Sequence, residues 1–481
     1  MHNSYKPYHI VLFILGCLFL LGSLVLFVPS GKLNIFGYQA RFISQKKLIQ
    51  GKQKIKLDIN TIIAGIDTTA VIQKDSANNA DSLLQNFTIK KDNSLLYNNI
   101  GKEKLRLFFQ HLKKAKSNKI RILHYGDSQI EGDRMTAFFR ERMQEKFGGF
   151  GPGFIPAVNI YGTISYIANY SPNFMRYTNF RGKQLKFTKD YGILNTVGRF
   201  TEEIKDTSGL YKLPLDTAWI TIAPGTATYY NTENYNNVAL YYTDAKTKCA
   251  LNIYENGHLI RHDSLITDGN YHVDSLSFQK TPGILKFEFI GKVSPTILGF
   301  SLDGKNGVQV DNVAMRGSSG LFLEKSNRKL FRKMLVDAKV KLFIMQFGGN
   351  AVPYIKDSAQ ARGVVYRFKL QLQILQRLQP DAAIVVIGPS DMSRIADEEY
   401  VSYPILPYYI SRLKDAATSV GAAYFNTYKA MGGENSMIQW VKHDLAHKDY
   451  THFTRKGAKI VSQQFYNAFM KAYLKLSKGE K

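Results

Sequence analysis

The sequence has 481 residues, of which 44% are hydrophobic, so the chain is long enough to bury a large core. Lysine and arginine outnumber aspartate and glutamate by 64 to 38, giving a formal net charge of +26. This excess favours an acidic partner such as anionic lipid or an acidic glycan. Because the basic residues are spread along the chain without a nucleic-acid-binding motif, we do not expect nucleic acid to be the partner.

The first predicted element is an apolar helix over residues 9–28, HIVLFILGCLFLLGSLVLFV. About 20 apolar residues suffice for a helix to cross a bilayer, and no clear cleavage site follows the segment. We therefore expect residues 1–30 to anchor the protein in a membrane, with the rest of the chain exported to the periplasm of a bacterial cell envelope. Cys249 is the one cysteine outside this segment, which excludes an internal disulfide and a cysteine-based zinc site.

The next stretch predicts a linker followed by the start of an α/β domain. Residues 31–100 are polar and weakly patterned, as in a linker or stalk. Apolar residues at helical spacing over residues 102–117 lead into the strand IRILHY, residues 120–125. A glycine–serine turn and a second helix, residues 134–147, follow. We interpret residues 101–150 as the first part of an α/β domain.

The pattern changes over residues 151–305, where short alternating runs such as TAWITIA and ILKFEFIG are separated by turns. Such runs predict an inserted antiparallel β-sandwich. Alternating strands and helices return over residues 306–481, with buried strands in KVKLFIMQF and AAIVVIG. The predicted fold class is therefore α/β: a three-layer domain with a mostly parallel sheet, an inserted β-sandwich and an N-terminal transmembrane helix.

Polar residues follow the ends of several predicted strands, where ligands bind in open α/β sheets. Each has an ordinary explanation when taken alone, as a helix cap or a turn residue. Their combined placement at the same edge of the sheet instead favours a catalytic site. The segments contain Ser128, Gly317 with Gly320, Asn350, and Asp449 with His452.

These residue types suit nucleophilic catalysis. A serine hydroxyl is a weak nucleophile until a neighbouring base takes its proton. A histidine can be that base and can later return the proton to a leaving alcohol. An aspartate three residues before the histidine can orient the imidazole and stabilise its cationic form.

The motifs resemble those of the SGNH (GDSL-like) hydrolases. Gly126-Asp127-Ser128 is similar to the first block of the family, although Gln129 stands in place of its usual leucine. Gly317-Ser-Ser-Gly320 resembles the second block. Gly348-Gly349-Asn350 resembles the third, although Ala351 replaces the aspartate of many members. Asp449-Tyr-Thr-His452 resembles the last block. Asp444 and His447 have the same spacing, but the sequence HFTRKG after Asp449 favours the later pair.

The resemblance implies roles for these residues. Ser128 is the expected nucleophile, His452 the base and Asp449 its carboxylate partner. The expected oxyanion donors are the amides of Ser128 and Gly320 and the side chain of Asn350, with Gly317 as the alternative glycine. Asp127 is expected to hold the turn that presents Ser128. No cofactor and no metal are expected.

An esterase domain with a β-sandwich inserted after the nucleophile helix resembles peptidoglycan O-acetylesterases and related exported enzymes. The resemblance implies removal of acetyl groups from an O-acetylated envelope glycan, with peptidoglycan first. Three alternatives stay open: acetyl transfer to the same class of glycan, a lipase or thioesterase, and a non-catalytic glycan-binding protein. Pro389-Ser390-Asp391 also follows a buried strand, where it could line the acyl pocket or form an ordinary turn.

Overall fold

The computed structural model describes residues 7–27, 32–35, 38–41, 94–205, 209, 213–225 and 229–477. It divides into two units, Met1–Asp58 and Ile59–Lys481. The first contains the helix α1 (Pro7–Phe27) and an antiparallel hairpin of β1 (Lys32–Ile35) and β2 (Tyr38–Arg41).

Two predictions concern the N-terminal region. Residues 7–27 form the predicted helix, but among the described residues no helix meets the length and hydropathy that a membrane span requires. Within the expected linker over residues 31–100, strands β1 and β2 pair with each other. Residues 42–93 of that expected linker lie outside the described residues.

The second unit contains a five-stranded, fully parallel sheet in the order β15-β3-β16-β17-β20. Its strands are β3 (Lys119–Gly126), β15 (Gly307–Ala314), β16 (Val340–Gln346), β17 (Ala383–Ile387) and β20 (Ala423–Phe425). Counted along the chain, this order is 2-1-3-4-5, the flavodoxin-like doubly wound topology. Such a sheet binds ligands beside the carboxyl ends of its first and third strands, here β3 and β16.

Strand β3 shows why the sheet is covered on both faces. Seven of its eight residues are buried. Ile122 belongs to one hydrophobic core, whereas Leu123 and Tyr125 belong to another. Successive side chains of a strand point to opposite faces, so each face of the sheet has its own core.

Helices build the outer layers. One core is covered by α2 (Asn99–Lys113), α3 (Thr136–Phe147) and α10 (Arg455–Ser477), and the other by α5 (Arg328–Asp337), α6 (Ser358–Leu378) and α7 (Leu406–Ser419). Phe109 of α2 and Phe139 of α3 each meet Phe469 of α10 edge to face, with ring centroids 5.4 Å apart. The short helices are α4 (Tyr230–Glu233), α8 (Thr427–Met431) and α9 (Ser436–Lys442).

Two antiparallel sheets follow α3 in the chain. One has the order β11-β10-β13-β8-β5, and the other β12-β9-β14-β7-β6 with β4 paired to β14. Their strands are β4 (Gly153–Ile155), β5 (Tyr166–Tyr170), β6 (Met175–Thr178), β7 (Thr196–Arg199), β8 (Asp216–Pro224), β9 (Asn237–Thr243), β10 (Cys249–Glu255), β11 (His258–Ser264), β12 (His272–Ser277), β13 (Leu285–Gly291) and β14 (Thr296–Asp303).

One hydrophobic core joins these two sheets, since Ile220 and Phe287 of the first pack in the same cluster as Leu240 and Phe300 of the second. A separate hairpin consists of β18 (Ser393–Ala396) and β19 (Glu399–Ser402). The prediction of a mixed α/β fold with a parallel sheet and separate antiparallel sheets is confirmed. The individual domain boundaries stay predictions.

A buried ionic group, which we call the seam cluster, joins the parallel sheet to the antiparallel strands. Its members are Arg121 of β3, Asp311 of β15 and Asp303 at the end of β14, all at most 2% exposed. Arg121 donates to Asp311 Oδ1 over 2.5 Å and also to Asp303 Oδ2. The same Asp311 oxygen accepts from the amide of Phe154 in β4 over 2.6 Å.

Candidate active site

Ser128 lies immediately beyond the carboxyl end of β3, as the first residue of a 3₁₀ helix, Ser128–Asp133. Asp127 caps this helix, because its Oδ1 accepts from the amide of Gln129 over 2.9 Å. A Cβ on Gly126 would lie 2.9 Å from the Ile130 side chain, so the turn has no room for a larger residue there. The sequence thus forces a sharp strand-to-helix turn that presents the Ser128 hydroxyl.

His452 meets Ser128 from a loop that precedes α10. The Oγ of Ser128 is 2.7 Å from Nε2 of His452, and Nδ1 of His452 is 2.7 Å from Oδ2 of Asp449. The other oxygen of Asp449 accepts from the amides of Thr451 and His452, each over 3.0 Å. One oxygen of the Asp449 carboxylate is therefore held by backbone amides of its own loop, and the other oxygen orients the imidazole.

The competing pair does not take part in this contact. His447 and Asp444 are exposed, and Thr454 donates to the backbone oxygen of Asp444. The amide of His447 donates to the backbone oxygen of His452 over 2.8 Å. This earlier pair thus supports the shape of the loop, and the histidine that Ser128 contacts is His452.

Gln129 joins the serine loop to the histidine loop, a role that the sequence analysis did not find. Its Nε2 donates to the backbone oxygen of Thr451 over 2.7 Å, and its Oε1 accepts from the amide of Phe453 over 3.4 Å. Both acceptor and donor flank His452 in the chain. The available signal was a polar residue at a position where the SGNH motif usually has leucine.

The β18–β19 hairpin is a second support that sequence reasoning missed. Tyr400 of β19 stacks on Tyr450, with ring centroids 3.6 Å apart and planes inclined by 14°. The amide of Ser393 donates to the backbone oxygen of Tyr450 over 3.2 Å. Since Tyr450 lies directly after Asp449, the hairpin holds the carboxylate end of the loop.

Gly320 and its alternative Gly317, the two glycines expected as oxyanion donors, differ in the surroundings of their amides. The amide of Gly320 donates to Oγ of Ser318 over 3.1 Å, and a Cβ on this buried glycine would contact Phe347. Gly317 is exposed, and its amide has no acceptor among the described residues. This geometry favours Gly317, the alternative glycine, because a donor must be free to bind a developing oxyanion.

The two remaining expected donors are available. Ser128 stands at the first position of its helix, where a backbone N–H group has no intrahelical acceptor. Asn350 lies in the 3₁₀ helix Gly349–Tyr354 after β16, and its Nδ2 donates to the backbone oxygen of Ser318 over 3.0 Å. That bond uses one of the two amide hydrogens and ties Asn350 to the loop of Gly317.

Burial raises and hydrogen bonding lowers the pKa values of Asp127 and Asp449, and the balance differs between the two. Burial raises the pKa of Asp127 to about 6, against the weaker lowering effect of the Gln129 amide. Burial also raises the pKa of Asp449, but the hydrogen bonds from His452 and Thr451 outweigh it and hold that pKa below its usual value. Asp449 is therefore the carboxylate that stays ionised beside the imidazole.

An open pocket with an empty volume of ≈ 750 Å³ surrounds these groups. Its lining includes Ser128, Asn350 and His452, together with Pro389 and Ser390 beyond β17. Asp391 is instead fully buried and accepts from the amide of Met437 over 2.9 Å, so it supports the neighbouring structure. Tyr354 projects from the rim with 79% of its surface exposed.

No model of a known protein family and no curated protein matches the chain. A solved structure described as "Peptidoglycan O-acetylesterase in action, 5 min" is similar to it, with 18% identity and a TM-score of 0.60. The similarity covers 79% of this chain and 99% of the other. At the level of the fold, this similarity confirms the predicted SGNH hydrolase-like architecture.

Two further structures are similar over smaller parts of the chain. A family two carbohydrate esterase from Clostridium thermocellum has 10% identity and a TM-score of 0.24, covering 57% of this chain and 97% of its own. The periplasmic domain of a lipopolysaccharide acetyltransferase from Salmonella ser. Paratyphi A has 10% identity and a TM-score of 0.26, covering 35% and 74% respectively.

Proposed function

We propose that this protein is a serine esterase that removes acetyl groups from an envelope polysaccharide, with peptidoglycan as the first candidate substrate. The observation that carries the proposal is the line of contacts from Ser128 through His452 to Asp449, with both links at 2.7 Å. Groups at this spacing can pass a proton from hydroxyl to imidazole during attack on a carbonyl.

In the proposed mechanism, Oγ of Ser128 attacks the carbonyl carbon of the acetyl ester while Nε2 of His452 takes the hydroxyl proton. The amides of Ser128 and Gly317 and the side chain of Asn350 stabilise the oxyanion of the tetrahedral intermediate. His452 then gives its proton to the leaving sugar oxygen, leaving an acetyl–Ser128 ester. Asp449 holds the imidazole in the required tautomer and stabilises its cation.

The exposure of the site supports hydrolysis over acetyl transfer. The side chains of His452 and Asp449 are 32% and 49% exposed, and the pocket around them is open. Water can therefore reach the acetyl-enzyme, where His452 activates it to release acetate and regenerate the Ser128 hydroxyl. A transferase needs a site that keeps water away from the same intermediate.

The choice of substrate is supported by the fold, by the charge of the chain and by an aromatic residue at the pocket rim. The fold is shared with a peptidoglycan O-acetylesterase, and the excess of 64 basic over 38 acidic residues suits an acidic polymer. Aromatic side chains such as exposed Tyr354 at the pocket rim can stack on sugar rings. Action on a glycan also agrees with the proposed location in a bacterial cell envelope, outside the cytoplasm.

The test is a paired assay of the full chain on O-acetylated peptidoglycan. We expect free acetate to be released faster than acetyl groups are transferred to an added oligosaccharide, and we expect Ser128→Ala to abolish the release while retaining the native circular-dichroism spectrum. Dominant acetyl transfer would identify a transferase. Full activity of Ser128→Ala would exclude the proposed nucleophile.

A second assay tests the proposed location. After cell fractionation, the protein should be found in the envelope fraction and should be accessible to protease added from the periplasmic side. Recovery of the whole protein from the cytoplasmic fraction would contradict the proposal.

A further inference from the structure

A second cleft, with an empty volume of ≈ 630 Å³, lies where the parallel sheet meets the antiparallel strands. Its lining includes Glu131 of the 3₁₀ helix that begins at Ser128, Asn312 of β15 and Arg176 of β6. None of these residues has a part in the ester-cleavage mechanism proposed above.

One guanidinium group in the lining of this cleft has no ion pair among the described residues. Arg140 is matched by Asp133, with Nη1 and Oδ2 2.6 Å apart. Arg316 is matched by Glu131, with Nε and Oε2 3.4 Å apart. Arg176 makes no ion pair and no hydrogen bond with any residue that the structure describes. Arg316 itself does not line the cleft, whose lining contains two guanidinium groups and two carboxylates. Because Arg140 and Arg316 already pair with those carboxylates, Arg176 is the lining arginine that is left without an ion pair among the described residues.

Arg176 is held in place although it has no counter-ion. Its guanidinium carbon lies 5.9 Å from the centre of the Phe180 ring, and the side chain is half-buried. Burial lowers its pKa, because the cation has lost part of its hydration and the nearby charge of Glu131 offsets this loss only in part. The planar fork of an arginine matches a carboxylate with two parallel hydrogen bonds, so an incoming carboxylate would offset this loss.

The cleft is close enough to the catalytic pocket to share a substrate with it. Glu131 follows Ser128 by three residues, so at most about 10 Å of extended chain separates the two residues. Arg316 directly precedes Gly317, and its guanidinium lies 5.1 Å from the centre of the Tyr161 ring in the cleft wall. A glycan whose acetyl group is at Ser128 can therefore extend a neighbouring sugar into the cleft.

We propose that this cleft binds a carboxylate carried by a sugar of the glycan substrate, with Arg176 as the ion-pair partner of that carboxylate. Apolar side chains such as Val158 and Leu194 and the polar side chain of Asn159 line the rest of the cleft, a mixture that suits a sugar ring. The inference rests on the proposed function and narrows its substrate to glycans with carboxylate-bearing sugars.

The kinetic test compares one O-acetylated oligosaccharide in two forms, with its sugar carboxylates free or converted to methyl esters. Arg176→Gln should raise KM at least tenfold for the free acid, and this increase should be several times larger than the increase for the methyl ester. The matched control is Arg412→Gln, an exposed arginine of α7 that pairs with Asp415. It should leave KM for both forms unchanged. Equal effects of Arg176→Gln on the two forms would overturn the inference.

A binding measurement separates this inference from the proposed function. By titration calorimetry, Ser128→Ala should bind the free-acid oligosaccharide at least tenfold more tightly than the methyl ester, and the added substitution Arg176→Gln should remove that difference. Equal affinity of Ser128→Ala for the two forms would contradict the carboxylate site. Absence of Ser128-dependent acetate release would contradict the esterase proposal, whatever the binding result.

Discussion

Strand β3 has charged groups at both ends, and they differ in burial. At its start, Arg121 is 1% exposed and bonds Asp303 and Asp311 of the seam cluster. Just beyond its end, Ser128 contacts His452, whose side chain is 32% exposed and whose partner Asp449 is 49% exposed. The buried pairing is closed to other molecules, whereas the exposed one keeps a hydroxyl and an imidazole within reach of substrate and water.

The comparison shows that the environment of a carboxylate decides its role. Burial raises the pKa of Asp311 to about 6, and Arg121 is the largest of the neighbouring influences that favour its charged form. Asp449 owes its lowered pKa to hydrogen bonds from its own loop. Removing the partner of Asp311 should therefore damage the fold, and altering Asp449 should damage catalysis alone.

The largest expected effect comes from Asp449→Asn. The amide can still accept the backbone hydrogen bonds of the loop, but it cannot hold the imidazole in the tautomer that accepts the serine proton. We expect kcat for acetate release to fall by about 10⁴-fold, with the midpoint of thermal unfolding unchanged. The matched control is Asp444→Asn in the neighbouring pair of the same spacing, which should keep most of the activity. Equal losses in the two variants would contradict the assignment.

Arg121→Met, at the start of β3, should reduce stability and leave catalysis intact. It removes the arginine from two buried carboxylates and leaves Lys119, whose Nζ is 3.2 Å from Asp303 Oδ2, as the remaining cation, so the free energy of unfolding should fall by about 3–5 kcal/mol in urea titrations. The folded fraction should keep its kcat on a small aryl acetate.

Two matched variants accompany Arg121→Met. Adding Asp303→Asn and Asp311→Asn should recover part of the lost stability, because the unpaired charges are then absent. Exposed Arg412→Met should change stability by less than about 0.5 kcal/mol. If Arg121→Met has the same free energy of unfolding as the wild type, the seam cluster does not stabilise the contact between the parallel sheet and the antiparallel strands.

Asn350→Ala, in the catalytic pocket beyond the carboxyl end of β3, should reduce kcat by less than Asp449→Asn does. Loss of one oxyanion donor costs about 3 kcal/mol of transition-state stabilisation, so kcat should fall by about 10²–10³-fold while KM changes little. Steady-state kinetics on an acetylated glycan measures both constants. A variant that raises KM without lowering kcat would place Asn350 in substrate binding instead.

The smallest expected effect concerns Asp127→Asn. The pKa of Asp127 is about 6 in the folded protein and 3.8 for the free carboxyl, so between these values the folded state binds more protons than the unfolded state. The free energy of unfolding of the wild type therefore declines as pH rises from about 4 to 6. Asparagine removes this decline, so the variant should gain about 1–3 kcal/mol relative to the wild type across that range. If the free energy of unfolding depends on pH in the same way in the variant and the wild type, the raised pKa of Asp127 is contradicted. The control is Asp415→Asn, which changes an exposed carboxylate.

The sequence was sufficient for features that depend on short segments. Buried strands alternating with helices predicted the parallel sheet, and alternating runs predicted the antiparallel sheets. The pair Asp449 and His452 was also recognisable, because a carboxylate three residues away can reach the imidazole within one loop.

Other features depend on contacts between distant segments, and the sequence has no signal for them. Arg121 and Asp303 are 182 residues apart, and nothing in their local pattern indicates that they meet. The choice between Gly317 and Gly320 depends on which amide is already bonded within the loop. The β18–β19 hairpin supports Tyr450 through a stack that only the folded chain brings together.

The most direct test of the central claim is covalent labelling with an organophosphonate that mimics the tetrahedral intermediate. We predict one adduct per chain, located by mass spectrometry on Ser128, with labelling greatly slowed in Asp449→Asn and unaffected in Arg121→Met where that variant is folded. Absence of an adduct, or an adduct on a serine other than Ser128, would contradict the account.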